Sequence, residues 1–289
     1  MTQCTICGNA RSRFLCRKDD ADYYFCPECR VIVQHPPPEP HAMVSYADAE
    51  YEKGGLYREY VEAREMKLEH FRRRLERLLP RVSRGRLLDI GCSCGYFMEV
   101  AAASGFQVEG LEFSRAAIAA ADPEIRLHIV CSSVDEFESS RTYDLVTAFD
   151  LIEHVPQPKE FLRKVHRLLA PGGWLAMTTP DAGHFLRYVM GSSWPMLQPM
   201  QHLTIFSRQA MRLALQEAGF SEISFEPTTK TISYEYLTDQ LRVLTPDLHK
   251  GMRIAGRILP ARTRRKYRQV NIGEFMVMAR VARAQDATA

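Results

Sequence analysis

The chain is predicted to be α/β, a mostly parallel sheet with helices on both faces, preceded by a small separate unit. Two stretches carry that expectation. Residues 86–114, RLLDIGCSCGYFMEVAAASGFQVEGLEFS, read in order as strand, glycine turn, helix, strand and carboxylate. Near the N-terminus, two Cys-x-x-Cys steps, Cys4/Cys7 and Cys26/Cys29, are separated by eighteen residues. Downstream of residue 114 short apolar runs and amphipathic segments keep alternating, the pattern of repeated strand–helix units.

Residues 86–90 form a short apolar run that fits a buried strand. Gly91, Ser93 and Gly95 follow, small residues where a chain turns sharply and lets a ligand approach its backbone. Residues 97–103 read as a helix closed by Gly105, and 106–111 as a second strand with Glu112 at its end. Ligands of open α/β sheets bind outside the carboxyl ends of the strands. Glu112 follows Asp89 by close to the roughly 20-residue interval at which an acid meets a ribose. Asp89 precedes the first glycine by two positions, where it repels a pyrophosphate but suits a cationic amino acid and a sulfonium. Cys92 and Cys94 lack the C-x-x-C spacing of a redox pair and read as small turn and core residues.

Further along, 116–121 is expected to be helical, 126–130 a third strand and 143–149 a fourth. Residues 159–169 read as a helix, 170–173 (Ala-Pro-Gly-Gly) as a tight turn, and 174–178 as a fifth strand. Residues 221–225 and 274–281 supply the sixth and seventh. Upstream, the proline-rich 35–41 is a stiff linker. Residues 46–79 look helical, with Leu56, Tyr60, Met66, Phe71, Leu75 and Leu78 at roughly helical intervals. Arg72, Arg73 and Arg74 are read there as a solvated face.

Composition bounds the function. The chain has 289 residues, 46% hydrophobic and 25% charged, ordinary for a globular protein. A net charge of +3 is too mild to argue for a nucleic-acid partner. No apolar run approaches the length of a membrane span, and MTQCTICGNAR lacks the apolar core of an export signal, so a cytoplasmic protein is expected. Eight cysteines in such a chain point to metal or free thiols rather than disulfides. The four in the two paired steps match the spacing of a structural zinc site, and four thiolates close a tetrahedral shell with no position left for catalysis. A segment this short buries too little to fold without such a metal.

The string D-I-G-C-S-C-G resembles motif I of the class I S-adenosylmethionine-dependent methyltransferases, with Ser93 where the family usually has glycine. D-L-I-E-H-V at 150–155 resembles the motif after the family's fourth strand, and L-A-P-G-G-W-L at 169–175 its turn before the fifth. The resemblance spans about 87–220 and is similar to the ubiquinone and menaquinone type of small-molecule enzyme. It implies a Rossmann-like seven-stranded sheet with the last strand antiparallel. It also implies cofactor contacts. Asp89 would hold the methionine end, Gly91, Ser93 and Gly95 would wrap it, and Glu112, with Phe113 adjoining, would accept the ribose hydroxyls. Val134 and Asp135 would meet adenine, and Phe149 and Asp150 would border the site. The zinc ribbon also resembles those that precede some bacterial small-molecule methyltransferases.

Methyl transfer to a hydroxyl or an acidic carbon needs close approach and a base. His154 and His202 are the two candidates, and Ser207 reads as the N-cap of the following helix. Residues 181–206 and 228–272 are insertions. The first is rich in aromatics and methionines suited to a ring-bearing acceptor, and the second ends in a basic run, 250–268, without an acid. The domains expected are 1–45 (ribbon and linker), 46–80 (helical connector) and 81–289 (catalytic). The function expected is transfer of a methyl group from S-adenosylmethionine to oxygen or carbon of a small molecule. Alternatives are an RNA methyltransferase gripping phosphates with its ribbon and basic run, and a cofactor-binding protein without turnover.

Overall fold

The computed structural model describes residues 3–39, 63–244 and 246–283. Three N-terminal strands, β1 (Arg13–Lys18), β2 (Ala21–Phe25) and β3 (Ile32–Gln34), form an antiparallel meander. Helix α1 (Arg64–Leu78) follows, burying Met66, Leu68, Leu75 and Leu78 along one stripe. Its first turn holds Glu65 and its last Arg77, each matched to the helix dipole. The helical expectation for 46–79 is met over 64–78, while its earlier part, with Tyr46, Tyr51, Tyr57 and Tyr60, lies outside the described residues.

The main sheet begins with β4 (Arg86–Ile90), α2 (Tyr96–Ala103) and β5 (Gln107–Glu112). It continues through α3 (Arg115–Ala119), α4 (Pro123–Arg126), β6 (Ile129–Cys131) and β7 (Tyr143–Phe149). Helix α5 (Pro158–Leu168), β8 (Leu169–Pro180), α6 (Phe185–Met190), β9 (Thr204–Ile205) and α7 (Arg208–Glu217) come next. Strands β10 (Phe220–Pro227) and β11 (Lys230–Ile232) lead to helices α8 (Tyr234–Leu244), α9 (Pro246–Gly256) and α10 (Ala261–Arg265). Strands β12 (Arg268–Val270) and β13 (Glu274–Val281) close the order.

Seven strands pair as β10-β13-β8-β7-β4-β5-β6. Strands β4 to β8 run parallel, and β13 lies antiparallel to both neighbours. The seven-stranded expectation, with its last strand reversed, is met. Alternation along each strand builds two apolar layers. Leu88, Val146, Leu175 and Val277 face α5 and α7, while Leu87, Leu145, Ala176 and Met276 face α1 and α2. Among the described residues, no helix is long and apolar enough to cross a membrane.

Two local expectations are corrected. Of 126–130, only Ile129 and Val130 are in a strand; Arg126 belongs to a helical turn. Asp122 caps that turn by accepting from Glu124 N–H at 3.0 Å, and Pro123 sits at its first position, both strong helix-start chemistry. The Ala170-Pro171-Gly172-Gly173 turn lies inside β8 as a bulge, because Leu169 already pairs with Tyr143 before the register shifts to Leu145–Trp174.

The N-terminal meander does not stand apart from this sheet's loops. Strand β3 pairs with β9 at Ile32–Ile205 and Val33–Thr204, so residues from the first insertion complete its sheet.

Candidate functional site

The glycine turn sits at the carboxyl ends of β4 and β5. Gly91 and Cys92 donate their N–H groups to Leu111 O, and Ser93 donates to Glu112 Oε2 at 2.9 Å. Ser114 N–H binds the other carboxylate oxygen at 2.9 Å. Glu112 is thus locked against the turn at the end of β5, with lone pairs remaining on both oxygens. Burial raises its pKa, and the backbone donors from Ser114 and Ser93 pull the other way. Gly91, Ser93 and Gly95 all have positive φ, at 71°, 51° and 72°. A Cβ on Gly95 would lie 2.6 Å from Ile125 Cγ2, so the turn is closed to larger residues there. Serine tolerates the left-handed backbone at position 93 at some strain.

Asp89 lies beneath this turn, 4% exposed, accepting from Thr147 Oγ1 at 2.6 Å. Burial pushes its pKa up to about 7. Phe113, directly after β5, is 48% exposed. Val134 packs against the core, and Asp135 is exposed in the turn after β6. Phe149 stands edge-on to Phe97, with ring centroids 4.9 Å apart.

The structure adds residues that sequence reasoning missed. Arg74 is 4% exposed, and its guanidinium lies 4.5 Å from the centroid of Phe149. Among the described residues none of its three nitrogens has a hydrogen-bond partner. Its charge acts on both Asp89 and Asp150. Arg72 and Arg73 do face solvent, but Arg74 falls three residues after Phe71 and four before Leu78, on the buried stripe. That phase was the signal to be read.

Asp150 accepts from Thr178 Oγ1 at 2.7 Å and pairs with Lys230 Nζ at 3.2 Å, which in turn reaches Glu274 at 2.7 Å. Burial alone would raise the Asp150 pKa, but Lys230 and Arg74 outweigh it and hold the carboxyl ionised. Burial raises the Glu153 pKa well above its usual range, reinforced by Asp150. Lys230 lies near the start of the second insertion and Glu274 just beyond its end, at the head of β13, and neither carries a local motif.

His154 and His202, far apart in sequence, meet edge-on with ring centroids 5.0 Å apart. His202 Nδ1–H donates to Met196 O at 2.7 Å, which leaves Nε2 as its acceptor. Burial holds His154 at about 4, and burial followed by the neighbouring His154 holds His202 at about 3. Both rings are therefore neutral at neutral pH. With Glu153 they also place three metal-ligating atoms within 4.8 Å of one another.

The four N-terminal cysteine Sγ atoms likewise lie within 4.8 Å of one another. Each step closes with a left-handed residue, Gly8 (φ 73°) or Arg30 (φ 63°), whose N–H binds the carbonyl of the step's first cysteine. Four soft donors converging at this spacing fit a tetrahedral zinc ion. Arg17 is ion-paired to Asp22 at 2.6 Å, so that cation does not face outward alone.

A mostly parallel seven-stranded sheet whose strands end in a glycine turn and a carboxylate is the framework of a class I S-adenosylmethionine-dependent methyltransferase. The chain belongs to the methyltransferase-domain family, whose model matches residues 57–224. It is 29% identical over 180 residues to a ubiquinone biosynthesis O-methyltransferase of Thiobacillus denitrificans, covering 53% of this chain and 74% of that one. A Burkholderia orbicola protein of the same name is 36% identical over 105 residues, 32% of this chain and 44% of that relative. In fold it is similar to a Thermotoga maritima structure described as a possible histamine N-methyltransferase, with TM-score 0.52, 14% identity and 78% and 94% of the two chains covered. It is also similar to an Archaeoglobus fulgidus methyltransferase structure, at TM-score 0.51, 18% identity and 76% and 98% coverage.

Proposed function

We propose that this methyltransferase acts on a hydroxyl oxygen of a small molecule, with His202 as the base and His154 as its neighbour. The observation that carries this reading is the neutral histidine pair, in which the Met196 carbonyl fixes the His202 tautomer and turns Nε2 into a proton acceptor. The names of the curated relatives favour oxygen over carbon.

Bound S-adenosylmethionine supplies a sulfonium methyl group whose departure leaves a neutral thioether. This chain's residues then have three tasks. Glu112 accepts from the ribose hydroxyls, Arg74 pairs with the methionine carboxylate, and the acidic environment of Asp89 favours the ammonium end. Gly91, Ser93 and Gly95 let the backbone approach, with Phe113, Val134 and Asp135 beside the adenine and Phe149 and Asp150 along the inner wall. His202 takes the acceptor's proton as the oxygen becomes nucleophilic, and close packing around Phe149 excludes water.

In the same reading, Cys4, Cys7, Cys26 and Cys29 hold a structural zinc ion. Residues 1–45, 46–80 and 81–289 serve as ribbon, connector and catalytic unit.

The test is calorimetry with S-adenosylmethionine, followed by methyl transfer from the labelled cofactor to a panel of catechols, phenols and amines. Transfer to the hydroxylated members supports the proposal, and transfer to amines alone sinks it.

A further inference from the structure

The residues around the four cysteines do more than form a knuckle. Cys4, Cys26 and Cys29 are buried in the same apolar cluster as Phe206, Ala210 and Met211. Ser207 Oγ donates to Cys29 O at 2.6 Å, and Gln209 Nε2 to Glu28 O at 3.1 Å. Two residues earlier the β3–β9 pairing begins, and Gln34 N–H reaches Leu203 O at 2.9 Å. The chain from 203 to 209 is therefore bound to the cysteine unit at four successive points.

The other side of this segment faces the histidines. Leu203 N–H donates to Glu153 O at 2.8 Å, and His202 N–H to Gln198 O at 2.8 Å. Trp194, 0% exposed, packs with Tyr23, Ile32 and Ile205 where the meander meets the first insertion. Lys18 Nζ adds a bond to Trp194 O at 3.4 Å.

We propose that the four-cysteine unit is a positioning device for His202, with Cys29 and Ser207 as the residues that transmit it. The metal fixes the Cys26–Cys29 turn, whose carbonyl at Cys29 anchors Ser207. Ser207 and the β3–β9 ladder then hold 203–207 in the register that sets His202 against His154. Metal loss releases that register while the glycine turn and Glu112, built on β4 and β5, keep their geometry. This rests on the reading that His202 lies on the acceptor side, but each step has its own observable.

Ser207 has two bonds, and chemistry separates them. It caps α7 by accepting from Ala210 N–H at 3.0 Å, and it donates to Cys29 O. Asp retains the cap but has no proton to donate, whereas Thr retains both.

The experiment uses the full-length zinc-loaded protein in a Trp174→Phe background. It reads the imidazole 15N resonances of His202, the emission of Trp194 and the dissociation constant of S-adenosylmethionine, before and after EDTA and in Ser207→Asp and Ser207→Thr. Expected are altered His202 resonances and red-shifted Trp194 emission on chelation and in Ser207→Asp, wild-type spectra in Ser207→Thr, and a cofactor constant within about twofold throughout. Unchanged His202 resonances after verified metal removal, or in Ser207→Asp, overturn the inference. Global loss of cofactor binding on chelation also overturns it, because the metal would then support the whole fold. Failure of the untreated protein to bind the cofactor instead overturns the functional reading.

Discussion

The rings of His154, in the turn after β7, and His202, within the first insertion, stand at 70° to each other, and neither is charged at neutral pH. A histidine poised as a base must be neutral before it acts. The displaced pKa values place the acidic limb of the rate profile below the ordinary imidazole range.

His202→Ala is expected to lower kcat by about 10²-fold, the low end for a positioned base, because a ring whose folded pKa is about 3 takes a proton weakly. Cofactor affinity should be unchanged. The same burial makes stability depend on pH. With folded values of about 4 and about 3 against 6.5 in the unfolded chain, the unfolded state binds more protons in between. These two rings therefore make stability fall as pH drops from 6.5 toward 4. Thermal melts of His202→Ala against the parent should show a flatter dependence across that window; parallel curves would rule the assignment out.

Among the described residues Arg74 is a buried cation without a hydrogen bond, balanced only by the charges of Asp89 and Asp150, a costly arrangement unless a ligand supplies a direct anion. Arg74→Met should therefore raise the melting temperature of the ligand-free protein while weakening S-adenosylmethionine binding by about 1.5–3 kcal/mol. The two effects have opposite signs, so a purely structural arginine would fail both measurements together.

Gly95→Ala should destabilise the fold. A left-handed backbone costs an alanine about 1–2 kcal/mol, and the new Cβ would meet Ile125 Cγ2 at 2.6 Å. Glu112→Ala removes charge-assisted bonds worth roughly 1.5–3 kcal/mol apiece and should abolish measurable cofactor binding with the fold intact. Circular dichroism and calorimetry on both variants separate the two outcomes. Near-normal affinity in Glu112→Ala would remove it from the cofactor site.

Lys230→Met leaves Asp150 and Glu274 buried without their shared cation. Breaking such a group from one side costs about 3–5 kcal/mol. Urea denaturation should register that loss, and it should shrink when Glu274→Gln is added. Equal losses in the single and double variants would show that the pairing contributes nothing.

The turn, the strands around it and the cysteine spacing were legible because each is local: a few residues fix their own backbone. Ser207 was readable as a cap for the same reason, since its partner Ala210 is three residues away. The contact between His154 and His202 was not readable, because it depends on β9 pairing with a strand from the far end of the chain. Arg74 was misread from its neighbours, although its spacing to Phe71 and Leu78 held the answer. Lys230 and Glu274 come together only through the reversed last strand and show no pattern beforehand. The 170–173 bulge shows a limit of another kind, in which turn residues lie inside a strand because tertiary pairing outweighs local preference.

The reversed direction of β13 has a consequence for how acceptor choice varies. A parallel strand offers its last residue to the crevice, but β13 offers its first, Glu274, which pairs with Pro180. The whole excursion from β11 to β12 therefore leaves and re-enters the molecule near the carboxyl ends of the parallel strands. In the proposed function this is the end that receives the acceptor, so exchanging the excursion for one of another length or chemistry is expected to change the substrate taken while S-adenosylmethionine binding is retained.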